Sequence, residues 1–202
     1  MTTRSDNTID NDALDRLFRT ARTVDNFHDR AVSDELLQAT YDLARMAPTS
    51  ANCQPMRILF LRQGEGREKL APTLSSTNRD KTLAAPVTAI IAYDLDFPKT
   101  LTQLYRVPGA DKWFSGAALI EETAFRNSSL QGAYFMLAAR AMGLDVAPLS
   151  GFDNAKVDAE FFSSGDRASW RSNFICNLGY GDLTGLPERD PRPNFSDACM
   201  VL

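Results

Sequence analysis

The segment Pro48-Thr49-Ser50-Ala51-Asn52-Cys53-Gln54-Pro55 places small hydroxyl and amide side chains between two prolines. It follows a predicted helix that begins after Ser33 and that Pro48 ends, and it precedes an apolar run at 58–61 that predicts a strand. The prolines limit the freedom of this loop, so it can present several donors and acceptors to a flat polar heterocycle at little entropic cost. A well-capped turn without any ligand explains the same residues equally well.

Outward from this loop, helical and strand patterns alternate along the chain. Apolar residues at helical spacing predict helices at 14–21, 34–47, 65–70, 80–84, 121–142 and 154–162. Apolar and β-branched runs predict strands at 58–61, 87–93, 144–149 and 172–178. This interleaving predicts one layered domain, 1–202, of the α/β or α+β type. Residues 1–12 are polar and expected to be mobile, and 94–116 lacks a clear period, which is typical of an excursion or lid.

Composition argues against several kinds of partner. Among 202 residues, 26 acidic side chains outnumber 22 basic ones, and no basic cluster with interleaved aromatics occurs, which disfavours nucleic acid. No apolar run is long enough to span a bilayer, and the polar N-terminus lacks the apolar core of a secretion signal. The 3 cysteines are widely spaced, which is typical of reduced thiols, so we expect a cytoplasmic protein.

The only histidine, His28, limits the catalytic chemistry. Zinc sites draw on several histidines and cysteines at short spacing, and the sequence has no such group, so no metal is expected. A Ser-His-Asp or Cys-His pair would need His28, which stands beside Asp29 and Arg30 in a polar stretch and is expected on the surface. Hydrolases of the usual kinds are therefore disfavoured.

Together with three later segments, the loop at 48–55 points to a family. It resembles the Pro-Ser-x-x-Asn-x-Gln-Pro signature of the nitroreductase family, in the same place between helix and strand. The segments 78–81 (Asn-Arg-Asp-Lys), 147–153 (Ala-Pro-Leu-Ser-Gly-Phe-Asp) and 177–181 (Asn-Leu-Gly-Tyr-Gly) resemble family motifs in the family's order, and the resemblance runs from about 14 to 195. It implies an α+β, three-layer fold with a central mixed β-sheet flanked by helices. It also implies an intertwined homodimer that holds FMN at its interface.

The resemblance further implies roles for individual residues around FMN. Arg22, Thr23 and Arg192 would bind the phosphate, and a loose N-terminal match leaves Arg19 and Arg189 open. Pro48, Thr49, Ser50 and Asn52 would approach the isoalloxazine ring from the partner subunit. Asn78 and Lys81 would lie beside the pyrimidine carbonyls, where a lysine favours negative charge on the reduced ring. Pro148, Leu149, Ser150 and Gly151 would reach the ring near N5.

For activity, the resemblance implies hydride transfer from NADH or NADPH through FMN to a small acceptor, with ping-pong kinetics. Many family members carry glutamate where Ser150 stands, so the nicotinamide donor stays open. The run 121–129 (Glu-Glu-Thr-Ala-Phe-Arg-Asn-Ser-Ser) is similar to the malonic semialdehyde reductase (3-hydroxypropionate dehydrogenase) branch of bacterial pyrimidine utilisation. Trp113, Phe114 and Arg126 are candidate substrate residues, although both aromatic rings serve equally well as core anchors. A nitroaromatic or quinone reductase and a flavin-binding module without turnover remain alternatives.

Overall fold

The computed structural model describes residues 8–202 and arranges them around a central four-stranded sheet. In chain order the strands are β1 (Asn26–Phe27), β2 (Met56–Leu61), β3 (Val87–Asp94), β4 (Asp145–Leu149), β5 (Trp170–Gly179) and β6 (Gly181–Asp182). The central sheet has the order β2-β3-β5-β4, and β1 pairs with β6 in a separate ribbon. Neighbouring strands run in opposite directions, so every strand pair within residues 8–202 is antiparallel. The parallel pair that a mixed sheet needs does not occur among them.

The α-helices of the described residues connect these strands. They are α1 (Asn11–Leu14), α2 (Asp34–Ala44), α3 (Glu65–Leu70), α4 (Ser76–Ala84), α5 (Leu101–Leu104), α6 (Ala117–Ala141), α7 (Asn154–Phe161) and α8 (Phe195–Ala198). A π-helical turn, Asp15–Arg19, continues α1.

Helices cover both faces of the central sheet. β3 lies inside the sheet and all of its residues are buried, as its apolar run predicts. Alternate side chains of a strand point to opposite faces, so Ile91 and Ile90 belong to different cores. Ile91 packs with residues of α2 and α6, whereas Ile90 packs with residues of α3 and α7. The sheet therefore lies between two helical layers, which confirms the α+β, three-layer fold.

Most predicted elements are confirmed, with shifts at their ends. Ser33 caps α2 by accepting the N–H of Leu36 at 3.2 Å, but α2 ends at Ala44 and not directly before Pro48. α4 begins before the predicted start at 80, because serine and threonine have low helix propensity and conceal its first turn. Behind α6, Gly143 has a φ of 94°, the left-handed conformation expected at a helix end.

The sequence predicts a mobile segment at 1–12 and an excursion or lid at 94–116. Residues 1–7 lie outside the described residues, whereas Asp10 accepts the N–H of Ala13 at 2.7 Å and caps α1. The excursion at 94–116 holds α5 between two short 3₁₀ turns, and its Phe97 and Leu101 are fully buried against Tyr93. This anchoring fixes the base of the excursion, and its role as a lid stays a prediction.

Candidate active site

The loop at 48–55 follows an unusual backbone path between α2 and β2. A 3₁₀ turn covers Ser50–Asn52, and Ala51, Asn52 and Gln54 have φ values of 48°, 50° and 43°. Residues with a side chain rarely adopt positive φ values and keep them only where surrounding contacts impose them. The shape of this loop is therefore set by its contacts with the rest of the protein.

Two buried amides of α6 bind both ends of the loop. The Oδ1 atom of Asn127 accepts the N–H of Ser50 at 2.8 Å, and the Oε1 atom of Gln131 accepts the N–H of Met56 at 3.0 Å. Sequence reasoning did not select these residues. The available signal was the polar character of the run 121–129 and of Gln131 after it, which an amphipathic helix does not require.

Hydrogen bonds inside the loop engage two of the predicted flavin residues. The Thr49 hydroxyl accepts the N–H of Gln54 at 3.2 Å. The Asn52 side chain accepts from Nε2 of Gln54 and donates to the carbonyl of Leu104, both at 2.8 Å. Pro48 and Ser50 are exposed at the loop surface. Thr49 and Asn52 thus stabilise the loop, while Pro48 and Ser50 form its outer face.

The structure brings together two motifs that are distant in sequence. The Nδ2 atom of Asn78 on α4 donates to the carbonyl of Gly151 at 3.2 Å, and the Ser75 N–H donates to the same oxygen at 2.9 Å. A Cβ at Gly151 would lie 2.4 Å from the Asn78 Nδ2 atom, so glycine is required for this close approach. Asn78 and the second predicted loop therefore form one surface.

Of the three residues before Gly151, one is buried in the core and two are exposed to solvent. Pro148 and Leu149 end β4, which is an edge strand and so tolerates a proline. Leu149 is buried in the core with Ile90, whereas Pro148 and Ser150 are exposed. Leu149 can therefore offer a ligand only its backbone.

A buried arginine fixes the end of α4. Arg67 is 1% exposed, and its guanidinium donates to the carbonyls of Thr82, of Ala85 at 2.8 Å and of Leu61 at 2.9 Å. Burial lowers the pKa of Arg67 to about 10, so the group stays charged at neutral pH. Carbonyls left unpaired at the C-terminal end of a helix are good acceptors for such a cation. Arg67 thereby holds the helix that carries Asn78 and Lys81.

Lys81 faces the N-terminal segment. Its Nζ atom lies 3.3 Å from Oδ1 of Asp25, and both residues line a cleft with Thr77 and Asp80. Asp25 also lines a second cleft, of about 490 Å³, that contains Arg22 and Thr23. Asp25 therefore lies between the residues predicted for the pyrimidine edge and those predicted for the phosphate.

Several arginines line this second cleft. Arg22 donates to the carbonyl of Pro187 at 2.6 Å, and Arg189 donates to the carbonyl of Ala21, so the C-terminal tail is bound to the N-terminal segment. Arg192 lines the same cleft and donates to the carbonyls of Asp190 and Pro191 in its own tail segment. Arg19 pairs with Asp15 at 3.0 Å and is not among the lining residues. The cleft thus gathers four arginines, Arg22, Arg140, Arg189 and Arg192.

The two halves of the predicted ring site lie on opposite faces of the sheet. The loop at 48–55 is bonded to α6, which covers the face that contains Ile91. Gly151 and Asn78 adjoin Leu74 and Phe152, which pack on the face that contains Ile90. Packed layers are roughly 10 Å apart, so within one chain these two halves do not face a common ring.

The predicted substrate residues differ in their surroundings. Phe114 packs edge-on against Phe97 with ring centroids 5.0 Å apart, which is the core-anchor role. Trp113 is 53% exposed beside Tyr105, and Arg126 is exposed and pairs with Glu122 on α6. Trp113 and Arg126 are therefore accessible to a ligand, whereas Phe114 packs on the buried Phe97 and stabilises the excursion.

Other chemistries find little support in residues 8–202. No group of three or more His, Cys, Asp and Glu side chains is placed there to hold a metal ion. His28 is exposed, as predicted. Cys53 and Cys176 are buried, and burial raises the pKa of the two thiols to about 11 and about 12, which makes them poor nucleophiles. No helix in this part of the chain has the length and apolarity that a membrane span requires.

Comparisons with known proteins place this fold and site in one family. The model of the nitroreductase family matches residues 18–180. The chain therefore belongs to the nitroreductase family. The resemblance of four short motifs to this family is thereby confirmed as family membership.

Relatives and solved structures agree with this assignment. A protein of Stutzerimonas stutzeri (strain A1501) named "Putative NADH dehydrogenase/NAD(P)H nitroreductase" is 52% identical over 194 residues, 96% of this chain and 97% of the relative. A protein of the same description from Stenotrophomonas maltophilia (strain K279a) is 53% identical, with the same shares covered. The crystal structure of a nitroreductase-like protein from Exiguobacterium sibiricum 255-15 in complex with FMN has a TM-score of 0.82 at 21% identity, covering 100% of both chains.

Proposed function

We propose that this chain is an NAD(P)H-dependent oxidoreductase that binds FMN between two copies of itself. The observation that carries the proposal is the bond between Asn78 and Gly151, which joins two family motifs 73 residues apart into one surface. The names of the two relatives point to NAD(P)H, and the Exiguobacterium structure contains FMN.

The chemistry of the described residues fits FMN. The cleft with Arg22, Arg189 and Arg192 offers the guanidinium groups that bind phosphate strongly. Gly151 has no side chain of its own, so the Asn78 amide can lie directly against its backbone and the two residues form one surface for a ring. Lys81 and Asn78 provide donors between these two points, as the carbonyl edge of a flavin requires.

In the proposed mechanism, bound FMN supplies a centre that accepts a hydride from NAD(P)H and passes it to a second substrate. The chain positions the reactants and sets the electrostatics. Lys81 would stabilise negative charge at the pyrimidine edge of the flavin, and Asn78 and Gly151 would hold the ring. The loop at 48–55 excludes water from the partner's side. One cleft serves both substrates in turn, which predicts parallel initial-rate plots.

The second copy is supported by exposed apolar surface. Leu43 and Met46, in and just after α2, are 48% and 68% exposed, and Leu130 and Tyr134 on α6 are 49% and 44% exposed. Large side chains grouped in this way mark an association surface. Pairing through α2 and α6 would bring the loop at 48–55 of one chain towards the Gly151 surface of the other.

For the acceptor we propose malonic semialdehyde, reduced to 3-hydroxypropionate. The run 121–129 supports this choice, and it lies beside the loop because Asn127 bonds to Ser50. The aldehyde carbon would gain the hydride and its oxygen a proton from solvent. Among residues 8–202, Arg126 pairs with Glu122 alone, and because an exposed pair is weak, Arg126 could bind the substrate carboxylate. The relatives' names favour a second candidate, a nitroaromatic reductase.

A spectroscopic experiment tests the proposal. The protein is purified without added flavin, saturated with FMN, and mixed anaerobically with NADH or NADPH in a stopped-flow instrument. The proposal predicts rapid bleaching of the flavin band and reoxidation by malonic semialdehyde faster than by a nitroaromatic. A protein that binds FMN but stays yellow is a binding module, and one that does not take up FMN contradicts the proposal altogether.

A further inference from the structure

Asn127 and Gln131 are polar residues in a place where apolar ones are expected. They lie one helical turn apart on the inner face of α6, and each is 3% exposed. A buried amide destabilises a fold unless its hydrogen bonds are satisfied, so the partners of these two side chains explain their presence.

The partners of Asn127 are one backbone group of the loop and one of its own helix. Its Oδ1 atom accepts the N–H of Ser50 at 2.8 Å, and its Nδ2 atom donates to the carbonyl of Thr123 at 2.8 Å. Both polar atoms of the side chain are thus satisfied, and its orientation is fixed from within the helix.

Gln131 begins a relay of side-chain amides through the loop. Its Nε2 atom donates to Oε1 of Gln54 at 2.6 Å, while its Oε1 atom accepts the N–H of Met56. Gln54 in turn donates to Oδ1 of Asn52 at 2.8 Å, and Asn52 donates to the carbonyl of Leu104. The relay therefore runs from α6 through the loop to α5.

This relay acts on a strained segment. Asn52 and Gln54, two of its members, have positive φ values, which residues with a side chain rarely adopt unless surrounding contacts impose them. Fixed bonds from a long, buried helix are a physical means of keeping the loop in this shape. Without them, the loop is expected to relax towards more common backbone conformations.

We propose that Asn127 and Gln131 are positioning residues that hold the loop at 48–55 in its ligand-binding shape. Neither residue touches the cofactor in this proposal. The inference deepens the proposed function and rests on it for its effect on FMN, whereas its effect on loop order does not depend on FMN.

The first test measures loop order without flavin. Hydrogen exchange of a peptide that covers 48–56 is compared between the original protein, Asn127→Leu and Gln131→Met. Ser128→Ala is the matched control, because Ser128 is fully buried on the same helix and bonds at 3.0 Å to the carbonyl of Ala92 rather than to the loop. We expect the amides of the loop to exchange at least about tenfold faster in Asn127→Leu and Gln131→Met than in the original protein. In Ser128→Ala they should exchange at the original rate. Unchanged loop exchange in Asn127→Leu and Gln131→Met would overturn the inference.

The second test measures FMN affinity and includes a rescue. Asn127→Leu should weaken FMN binding about tenfold or more, with a changed visible circular dichroism of bound flavin, and Ser128→Ala should not. Asn127→Asp keeps an acceptor for the Ser50 N–H, and when protonated its hydroxyl can also donate to the carbonyl of Thr123. Its affinity relative to the original protein should therefore recover as the pH is lowered, while that of Asn127→Leu should not.

The outcomes separate the two proposals. If the original protein does not bind FMN, the proposed function fails and the exchange experiment still decides the role of the two amides. If FMN binds with equal affinity and spectrum to Asn127→Leu, Gln131→Met and the original protein, the positioning role is wrong and the proposed function stands.

Discussion

Asn78 donates its side-chain amide to the carbonyl oxygen of Gly151 at 3.2 Å, and this bond joins α4 to the loop that follows β4. Because Arg67 holds the end of α4 from inside the protein, the position of Asn78 is fixed before any ligand binds. The surface around Gly151 is therefore preorganised, which lowers the entropic cost of binding a rigid ring.

Substituting Gly151 tests this surface. In Gly151→Ala the new Cβ would lie 2.4 Å from the Asn78 Nδ2 atom and 2.8 Å from the Ser75 hydroxyl, so Asn78 must move. We expect FMN affinity to fall about tenfold or more, which is about 1.4 kcal/mol, in a fluorescence titration. Gly66→Ala on α3 is the control, because its Cβ meets only the end of the Leu61 side chain at 3.2 Å. Equal losses in both variants would show that the effect is not local to the site.

The arginine cleft makes a prediction about the phosphate. Arg22→Ala should weaken FMN binding about 10- to 100-fold, because charge-assisted hydrogen bonds contribute about 1.5–3 kcal/mol. Riboflavin, which lacks the phosphate, should bind both proteins with the same affinity. Arg19→Ala is the control, since Arg19 is engaged by Asp15. A parallel loss of riboflavin affinity in Arg22→Ala would indicate that the arginine only supports the fold.

Substituting Asp25 should change the redox potential of bound FMN. Asp25 is exposed, although its partner Lys81 is partly buried, so Asp25→Asn should change the free energy of unfolding by no more than about 1 kcal/mol. Removing the carboxylate leaves the lysine charge uncompensated and should raise the midpoint potential of bound FMN by tens of millivolts, where about 30 mV corresponds to 1.4 kcal/mol for two electrons. Lys81→Met should shift the potential in the opposite direction. A potential that both variants leave unchanged would place this pair away from the flavin.

The buried thiols predict how stability depends on alkaline pH. Burial raises the pKa of Cys53 to about 11 and that of Cys176 to about 12, whereas a thiol in the unfolded chain ionises near 8.5. The unfolded state therefore loses protons first, and each thiol should lower the free energy of unfolding by about 1.4 kcal/mol per pH unit from about 8.5 up to its folded pKa.

Denaturant unfolding between pH 8 and 10.5 measures this slope. In the double variant Cys53→Ala/Cys176→Ala, the free energy of unfolding should fall less steeply with pH than in the original protein, even if the variant is less stable at every pH. Cys199 is exposed, so Cys199→Ala should keep the original slope. If the free energy of unfolding falls as steeply with pH in the double variant as in the original protein, the thiols do not titrate as their burial requires.

The layers of the fold could be predicted from the sequence, because long helices and strands show a clear hydrophobic pattern. The buried run of β3 and the Ala-rich α6 were clear, and so was the Ser33 cap. The loop at 48–55 was visible as a motif, but its backbone was not, because positive φ at Ala51 and Gln54 depends on bonds from α6. The salt bridge of Lys81 with Asp25 was not predictable either, since it depends on how the N-terminal segment packs on α4.

We propose that each flavin site takes its residues from two chains, and dimers that mix two variants test this sharing. Ser50→Tyr would obstruct the loop side, and Gly151→Ala would displace Asn78 on the opposite side. At an FMN concentration no higher than the dissociation constant of the original protein, dimers of either variant alone should therefore bind little FMN. Random mixing of equal amounts gives half heterodimers, each with one intact site if the site is shared, so FMN binding should recover to about one quarter of the original capacity. Binding that stays at the level of the separate variants would contradict the claim, because a site within one chain cannot be restored by mixing.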